Sequence, residues 1–268
     1  MIDPIPVLYF VLMGVLGLVM GSFLGVVIHR SPATCLTPNV PRFPLLWPRS
    51  HCPHCTTPLR WFELIPLLSA MMLKGRCRYC QTALGWRDSA IELSCAGLTL
   101  LIAALAPDSM LLWLLFFWWL LALAWIDAQT QLLPDTLTLS LLWLGLLSTA
   151  LGWLAISPVE SVLGAVLGYL SLWCVREAYW LMRRQEGMGG GDLKLLAAIG
   201  AWLGWLALPW VVLLGALTGI IAVLLRGWQR RHEPMPFGPA LALGAALFWL
   251  LTHGMEHHLE GLWAMWLA

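Results

Sequence analysis

Charged residues are scarce in this chain. Only 11% of its 268 residues are Asp, Glu, Lys or Arg, whereas a soluble domain carries roughly 25%. Together with a hydrophobic fraction of 60%, this scarcity excludes an ordinary soluble domain and indicates a membrane protein. The net charge of +1 also leaves no cationic excess with which to bind nucleic acid.

Long apolar runs take the place of the missing charge. About eight runs are long enough to predict transmembrane helices, and the breaks between most of them are short. The expected fold is therefore an all-α polytopic membrane protein embedded in the lipid bilayer. The predicted spans are roughly 5–28, 91–106, 110–126, 137–156, 159–181, 193–208, 210–226 and 238–253.

The few cations have an uneven distribution. All 15 Lys and Arg residues lie within 30–87, 176–194 or 226–231, and basic residues near span ends stay in the cytosol. With eight spans, these segments share the cytosolic side only if both termini lie outside the cytosol. A cleaved signal peptide is a weaker interpretation of the first span, because Asp3 precedes it and His29-Arg30 follow it.

Two paired cysteine motifs lie between the first two spans. Cys52-Pro-His-Cys55 and Cys77-Arg-Tyr-Cys80 are separated by 21 residues, a spacing typical of four-thiolate Zn²⁺ sites. Such a closed site leaves no position for water, so we expect the zinc to be structural. Disulfides or a redox dithiol are the alternative, which a cytosolic location disfavours.

The positions of these motifs predict three domains. Residues 1–29 would form the first transmembrane helix, 30–90 a small cytosolic zinc-binding loop domain, and 91–268 a transmembrane domain. The loop segment is too short and too polar to build a large core, so bound metal would supply much of its folding free energy.

Only six aspartates occur, and two of them have unusual positions. Asp127 is predicted to end the third span and Asp192 to begin the sixth, which places both at the cytosolic boundary of the bilayer. Ionisable residues at membrane depth are costly and suggest a function. If helix packing brings them together, one carboxylate can activate water while its protonated neighbour polarises a carbonyl. Asp127 and Asp192 are therefore the candidate catalytic pair.

Other interpretations of the acids remain open at this stage. Asp192 follows three glycines and precedes an apolar helix, so it could be an N-cap. For Asp135, which follows Pro134, the N-cap is the preferred interpretation. A negative charge at the end of a helix opposes the helix dipole, so Asp127 has no comparable local role. The glycines at 189–191 suit the close approach of an extended peptide, or they form a flexible linker.

These residues resemble the type IV prepilin leader peptidases of bacterial pilus and type II secretion systems. The resemblance covers nearly the whole chain, and the motifs occur in the order of the family. They are GSFLGVVIHR at 21–30, the paired Cys-x-x-Cys motifs, Ile126 to Asp135 as IDxxxxxLPD, Gly189 to Lys194 as GxGDxK, and Phe237 to Pro239 as FGP.

The resemblance implies a function. Members of this family are GxGD-type aspartic peptidases of the inner membrane, and they cleave prepilins or pseudopilins after the leader's glycine on the cytosolic side. The motifs map the catalytic pair onto Asp127 and Asp192. Many members also methylate the new N-terminus with S-adenosylmethionine, an activity associated with the cytosolic loop.

The chain departs from the family pattern near that loop. Gly25 and Leu64 stand where the family has Asn, and the stretch usually written RYPxxE contains Arg87, Asp88, Ser89 and Glu92. The lost amide side chains remove donors and acceptors that could hold the methyl donor.

Two other functions compete with a prepilin peptidase. A transporter or channel also uses membrane carboxylates, but it predicts acids near the bilayer midplane. An intramembrane protease of the presenilin kind shares the paired acids, but it would not require the four-cysteine loop.

Overall fold

A computed structural model provides the structure of the chain. It describes residues 4–36, 51–52, 54–58, 60, 66–67, 72–73, 75–83, 86–185, 188–226 and 236–267. Leu64, one of the departures from the family pattern, lies outside the described residues.

The predicted all-α architecture is confirmed. Within the described ranges, no strand forms beyond two isolated bridges, and each of the eight predicted spans corresponds to a helix. The helices are α1 (Pro4–Leu36), α2 (Arg87–Leu105), α3 (Met110–Thr130), α4 (Asp135–Ala150), α5 (Pro158–Arg183), α6 (Gly190–Leu203), α7 (Leu208–Arg226) and α8 (Gly238–Leu267).

The helices differ in their capacity to cross a bilayer. Among the described residues, five segments are long and apolar enough to do so, namely Val7–Ser31, Arg87–Leu105, Met110–Thr130, Pro158–Arg183 and Trp205–Leu225. The apolar helical segments Asp135–Ala150 and Gly238–Gly254 are shorter. Many large apolar side chains on these helices are exposed, as expected of surfaces that face lipid.

The chain forms two compact units, Met1–Leu114 and Leu115–Ala268. In the first, α1 packs closely on α2 through small residues. A Cβ at Gly17 would stand 2.6 Å from the Ala96 Cα, and one at Gly21 would stand 2.6 Å from the Glu92 Cα. Close backbone approach is the usual way in which membrane helices associate, because apolar surface gains little by leaving lipid.

In the second unit, α5 and α6 also pack closely through small residues where they cross. A Cβ at Gly164 would collide with the Gly200 carbonyl, and a Cβ at Gly200 would collide with the Gly164 carbonyl. On the neighbouring helix α4, the Leu141 carbonyl accepts a hydrogen bond from the indole N–H of Trp202 at 2.8 Å. These contacts fix α6, the helix that carries Asp192.

Candidate active site and metal centre

Asp127 lies in the last turns of α3 and is buried, with only 5% of its surface exposed. Its Oδ2 accepts a hydrogen bond from the backbone N–H of Gly238 at 2.9 Å. Gly238 is the first residue of α8, so its N–H is one of the helix's unpaired donors and points toward the carboxylate. The start of one helix thus supplies a donor to an acid near the end of another.

Asp192 lies in the first turn of α6 and is also buried, with 9% of its surface exposed. The N-cap of this helix is Gly189, which has an extended backbone, so an N-cap role for Asp192 is wrong. Its position inside the first turn still places its negative charge near the positive end of the helix dipole.

The two buried acids interact electrostatically with each other. Asp127 and Asp192 are 65 positions apart in sequence, and helix packing brings them within range of this interaction. Two neighbouring carboxyl groups in a poorly solvated site do not both ionise readily, so a pair of this kind can share one proton. This arrangement can supply an acid and a base to the same reacting centre.

A cavity of about 350 Å³ opens beside the segment that precedes Asp192. It is lined by Arg176, Glu177, Trp180, Met188, Gly189 and Gly190. The Arg176 guanidinium contacts the Glu177 carboxylate at 3.1 Å, so the cavity carries both signs of charge. The glycines give it a wall of bare backbone with N–H and C=O groups, which an extended peptide can use.

Asp135 does not cap α4. The N-cap of α4 is Pro134, and the predicted capping role of Asp135 is therefore wrong. Its carboxylate instead accepts a hydrogen bond from the Lys194 ammonium group at 2.6 Å. An acid at the start of a helix has the same neighbours in sequence whether it caps the helix or forms an ion pair. Because Lys194 is 59 positions away, the sequence around Asp135 could not reveal the pair.

Sequence reasoning also missed the Gly238 contact with Asp127. The FGP motif at 237–239 was the signal that could have found it, because a glycine between a bulky residue and a proline at a helix start suggests close backbone approach. A Cβ at Gly238 would stand 2.7 Å from the Asp127 Oδ2, so the position has no room for a side chain.

The two cysteine motifs form matching turns in the first unit. The Cys52 N–H donates to the Thr57 carbonyl at 3.0 Å, and the Cys77 N–H donates to the Thr82 carbonyl at 2.9 Å. The residue after the second cysteine of each motif has a positive φ, 56° at Thr56 and 58° at Gln81. Each turn therefore directs its two thiols to the same side.

The four thiols fit a tetrahedral metal ion. Their sulfur atoms all lie within 4.8 Å of one another, with Cys52 and Cys80 at 3.8 Å and Cys55 and Cys77 at 3.9 Å. Zn–S bonds of about 2.3 Å in a tetrahedron require S–S separations of about 3.8 Å. The four cysteines are free thiols, not disulfides.

Hydrogen bonding favours the thiolate form of two of these thiols, whereas burial and hydrogen bonds to neighbouring thiols raise the pKa of Cys77 to about 11. Hydrogen bonds from the Thr82 side chain and backbone lower the pKa of Cys80 to about 6. Thr57 lowers the pKa of Cys55 in the same way. The thiolate is the form that binds a metal, so both threonines favour the ligand state.

These features define a class of protein. The chain is a multi-pass helical membrane protein with two buried, interacting aspartates in one unit and a four-cysteine cluster that could hold a metal ion in the other. A sequence profile described as the type IV leader peptidase family matches residues 114–224, and one described as the bacterial peptidase A24 N-terminal domain matches 15–106. The chain belongs to the type IV leader peptidase family.

Curated relatives support this membership over most of the chain. A protein of Burkholderia pseudomallei (strain 1026b) is 47% identical over 254 residues, covering 87% of this chain and 82% of that protein. One of Aeromonas hydrophila is 46% identical over 269 residues, covering 91% of this chain and 92% of that protein. One of Dickeya chrysanthemi is 48% identical over 256 residues, covering 87% and 89%. Each is named prepilin leader peptidase/N-methyltransferase, and no solved structure matches the chain.

Proposed function

We propose that this chain is a membrane aspartic endopeptidase that removes the leader peptide from type IV prepilins or type II secretion pseudopilins. Asp127 and Asp192 are its catalytic pair. The observation that carries this proposal is the burial of two acids that interact electrostatically, both inside the segment matched by the leader peptidase family. The names of the relatives support the choice of substrate.

The pair hydrolyses an amide without a nucleophilic side chain. The ionised acid takes a proton from water, and the water oxygen attacks the scissile carbonyl carbon while the protonated acid donates to the carbonyl oxygen. The proton taken from water then passes to the leaving nitrogen as the C–N bond breaks. The two acids titrate as one unit, so either can begin the cycle as the base.

Membrane geometry matches such a substrate. A short basic leader followed by an apolar helix places the scissile bond at the membrane interface, the depth expected for Asp127 and Asp192. The clustering of cations favours the cytosolic face of a bacterial inner membrane, with both termini on the periplasmic side. The leader's positive charges would then lie near the 127–135 segment, which contains two acids and no basic residue.

The four-cysteine cluster would hold a structural Zn²⁺ through Cys52, Cys55, Cys77 and Cys80. Bound zinc would stabilise the loop within 30–90, which we propose as a domain between the first transmembrane helix at 1–29 and the peptidase domain at 91–268. The metal takes no part in peptide hydrolysis in this scheme, because the acids supply both the base and the acid.

A second activity, N-methylation of the new N-terminus, is supported by the names of the relatives. S-adenosylmethionine would be the methyl donor. Gly25 replaces a family Asn, and a Cβ at this position meets nothing within 4 Å. The space for the missing side chain is therefore present in this chain.

One assay tests both activities. Purified protein is incubated with a prepilin and labelled S-adenosylmethionine, and leader removal and methyl incorporation are read separately. We expect Asp127→Asn and Asp192→Asn each to reduce leader removal by about a hundredfold or more, while the protein still inserts into the membrane. Asp108→Asn, which changes an exposed acid, is the matched control and should cleave normally.

Substantial cleavage by either catalytic variant would reject the pairing. If no variant and no parent protein cleaves a prepilin, while ion flux across vesicles depends on Asp127, the transporter interpretation is correct. Methylation by Gly25→Asn at a higher level than by the parent would identify the lost amide as part of the methyl-transfer site.

A further inference from the structure

The connection between α3 and α4 links the two acids. It leaves α3 just after Asp127 and runs through residues 131–134 to Asp135. On its way it packs against the first turn of α6, where a Cβ at Gly191 would stand 2.7 Å from the Leu133 Cβ. One short segment therefore touches the helical turn that carries Asp192 and is continuous with the helix that carries Asp127.

A second contact fixes the same segment to the same helix. The Lys194 Nζ lies 2.6 Å from the Asp135 Oδ1, which joins the fifth residue of α6 to the first residue of α4. Lys194 and Asp192 are two positions apart, and side chains with this spacing do not face each other on a helix. Lys194 thus points away from the acid and binds the connection instead.

The far ends of these helices are already fixed. The Trp202 indole N–H donates to the Leu141 carbonyl, and the Trp202 ring lies where a Cβ at Gly145 would be. Without the ion pair, α4 would remain attached to α6 at this end, whereas the end near Asp192 would keep only the first of the two contacts described above, the packing of Leu133 on Gly191. The ion pair is therefore one of two contacts that hold the start of α4 beside the turn that carries Asp192.

We propose that Lys194 and Asp135 are positioning residues for peptide hydrolysis, and that their ion pair holds the α3–α4 connection against α6 so that Asp127 and Asp192 stay at reacting distance. This inference rests on the proposed peptidase function. Both side chains are partly exposed, at 34% and 59%, and exposed ion pairs contribute little to global stability. We therefore expect loss of the Lys194–Asp135 ion pair to lower the turnover number, because a displacement of about 1 Å in a reacting group can cost a hundredfold in rate.

The test is a double-mutant cycle on prepilin cleavage by the full-length protein. We expect Asp135→Asn and Lys194→Gln each to lower kcat about tenfold or more at nearly unchanged KM, since the substrate does not bind the pair. The double variant should lose no more than either single variant, because both remove one interaction. Lys194→Arg keeps the charge and should restore most of the activity.

Glu160→Gln is the matched control. Glu160 is also an acid in the first turn of a helix in the second unit, but its hydrogen bonds are local, to the N–H and hydroxyl of Ser157. Its loss should leave kcat and KM unchanged, which separates the proposed role from the general effect of an acid near a helix start.

The outcomes distinguish this inference from the proposed function. Unchanged kcat in Asp135→Asn and Lys194→Gln, losses that multiply in the double variant, or an equal loss in Glu160→Gln would overturn the positioning role. So would a failure of both single variants to accumulate in the membrane, which would make the pair a folding requirement. If Asp127→Asn itself cleaves prepilin, the peptidase proposal fails first.

Discussion

The backbone N–H of Gly238 donates to the Asp127 carboxylate at 2.9 Å and joins the start of α8 to the end of α3 across 111 positions of sequence. The contact occupies one carboxylate oxygen and orients the group. It also explains why the position is a glycine, because a Cβ there would stand 2.7 Å from the same oxygen. Real Cβ atoms do not approach oxygen so closely, so a side chain at 238 must displace the acid.

Gly238→Ala should therefore impair catalysis more than stability. The added methyl group pushes the Asp127 carboxylate away from Asp192, and we expect prepilin cleavage to fall about tenfold to a hundredfold with kcat as the affected parameter. Steady-state cleavage by purified protein measures the effect. Gly254→Ala, on the same helix but with nothing within 4 Å of its Cβ, should cleave like the parent. Equal activity of the two variants would contradict the close contact at Gly238.

The number and order of the helices were predictable from the sequence. Apolar runs long enough to cross a bilayer stand out against scarce charge, and the scarcity of aspartate made Asp127 and Asp192 conspicuous. Their catalytic assignment stays a prediction, although the structure buries both side chains and places them within range of an electrostatic interaction.

The contacts between helices were not predictable. Lipid is as apolar as a protein core, so a membrane helix can be apolar on every face and its pattern does not reveal which face is packed. The Lys194–Asp135 pair spans 59 positions, and nothing local to Asp135 distinguishes a capping acid from a paired one. The backbone contact of Gly164 with Gly200 is likewise a property of the crossing, invisible in either helix alone.

The close crossing of α5 and α6 predicts that a large side chain at Gly164 lowers the stability of the protein. Gly164→Leu places a large side chain where the Gly200 carbonyl lies, so α5 and α6 must separate. Overpacking of this kind costs about 1–3 kcal/mol, and more where backbone is the obstacle. Thermal unfolding of the purified protein in detergent should show a lower midpoint. Gly97→Leu, whose Cβ meets nothing within 4 Å, should unfold like the parent; an equally stable Gly164→Leu would exclude the close crossing.

The cavity beside Asp192 predicts an effect on substrate binding. Gly190 lines it, and a Cβ at this position would lie 3.9 Å from the Arg176 guanidinium, so a small side chain fits and a large one fills the space. We expect Gly190→Leu to raise the KM for prepilin about tenfold by excluding the peptide, and Gly190→Ala to have a much smaller effect. Michaelis–Menten kinetics of both variants measures this. An unchanged KM in Gly190→Leu would show that the substrate does not use the cavity.

Metal removal should affect the first unit before it affects hydrolysis. The four thiols would complete a tetrahedron around an ion and leave no open position, so a bound Zn²⁺ would stabilise the loop and would not polarise a substrate. Cys52→Ser or Cys77→Ser, the two buried ligands, should reduce bound zinc measured by elemental analysis and make the loop sensitive to limited proteolysis. Intrinsic hydrolysis of a prepilin should fall far less than in Asp192→Asn.

Cys95→Ser, which changes a buried cysteine outside the cluster, is the matched control, and this variant should retain its zinc. A zinc-free variant that keeps a protease-resistant loop but cannot cleave would show that the metal takes part in hydrolysis.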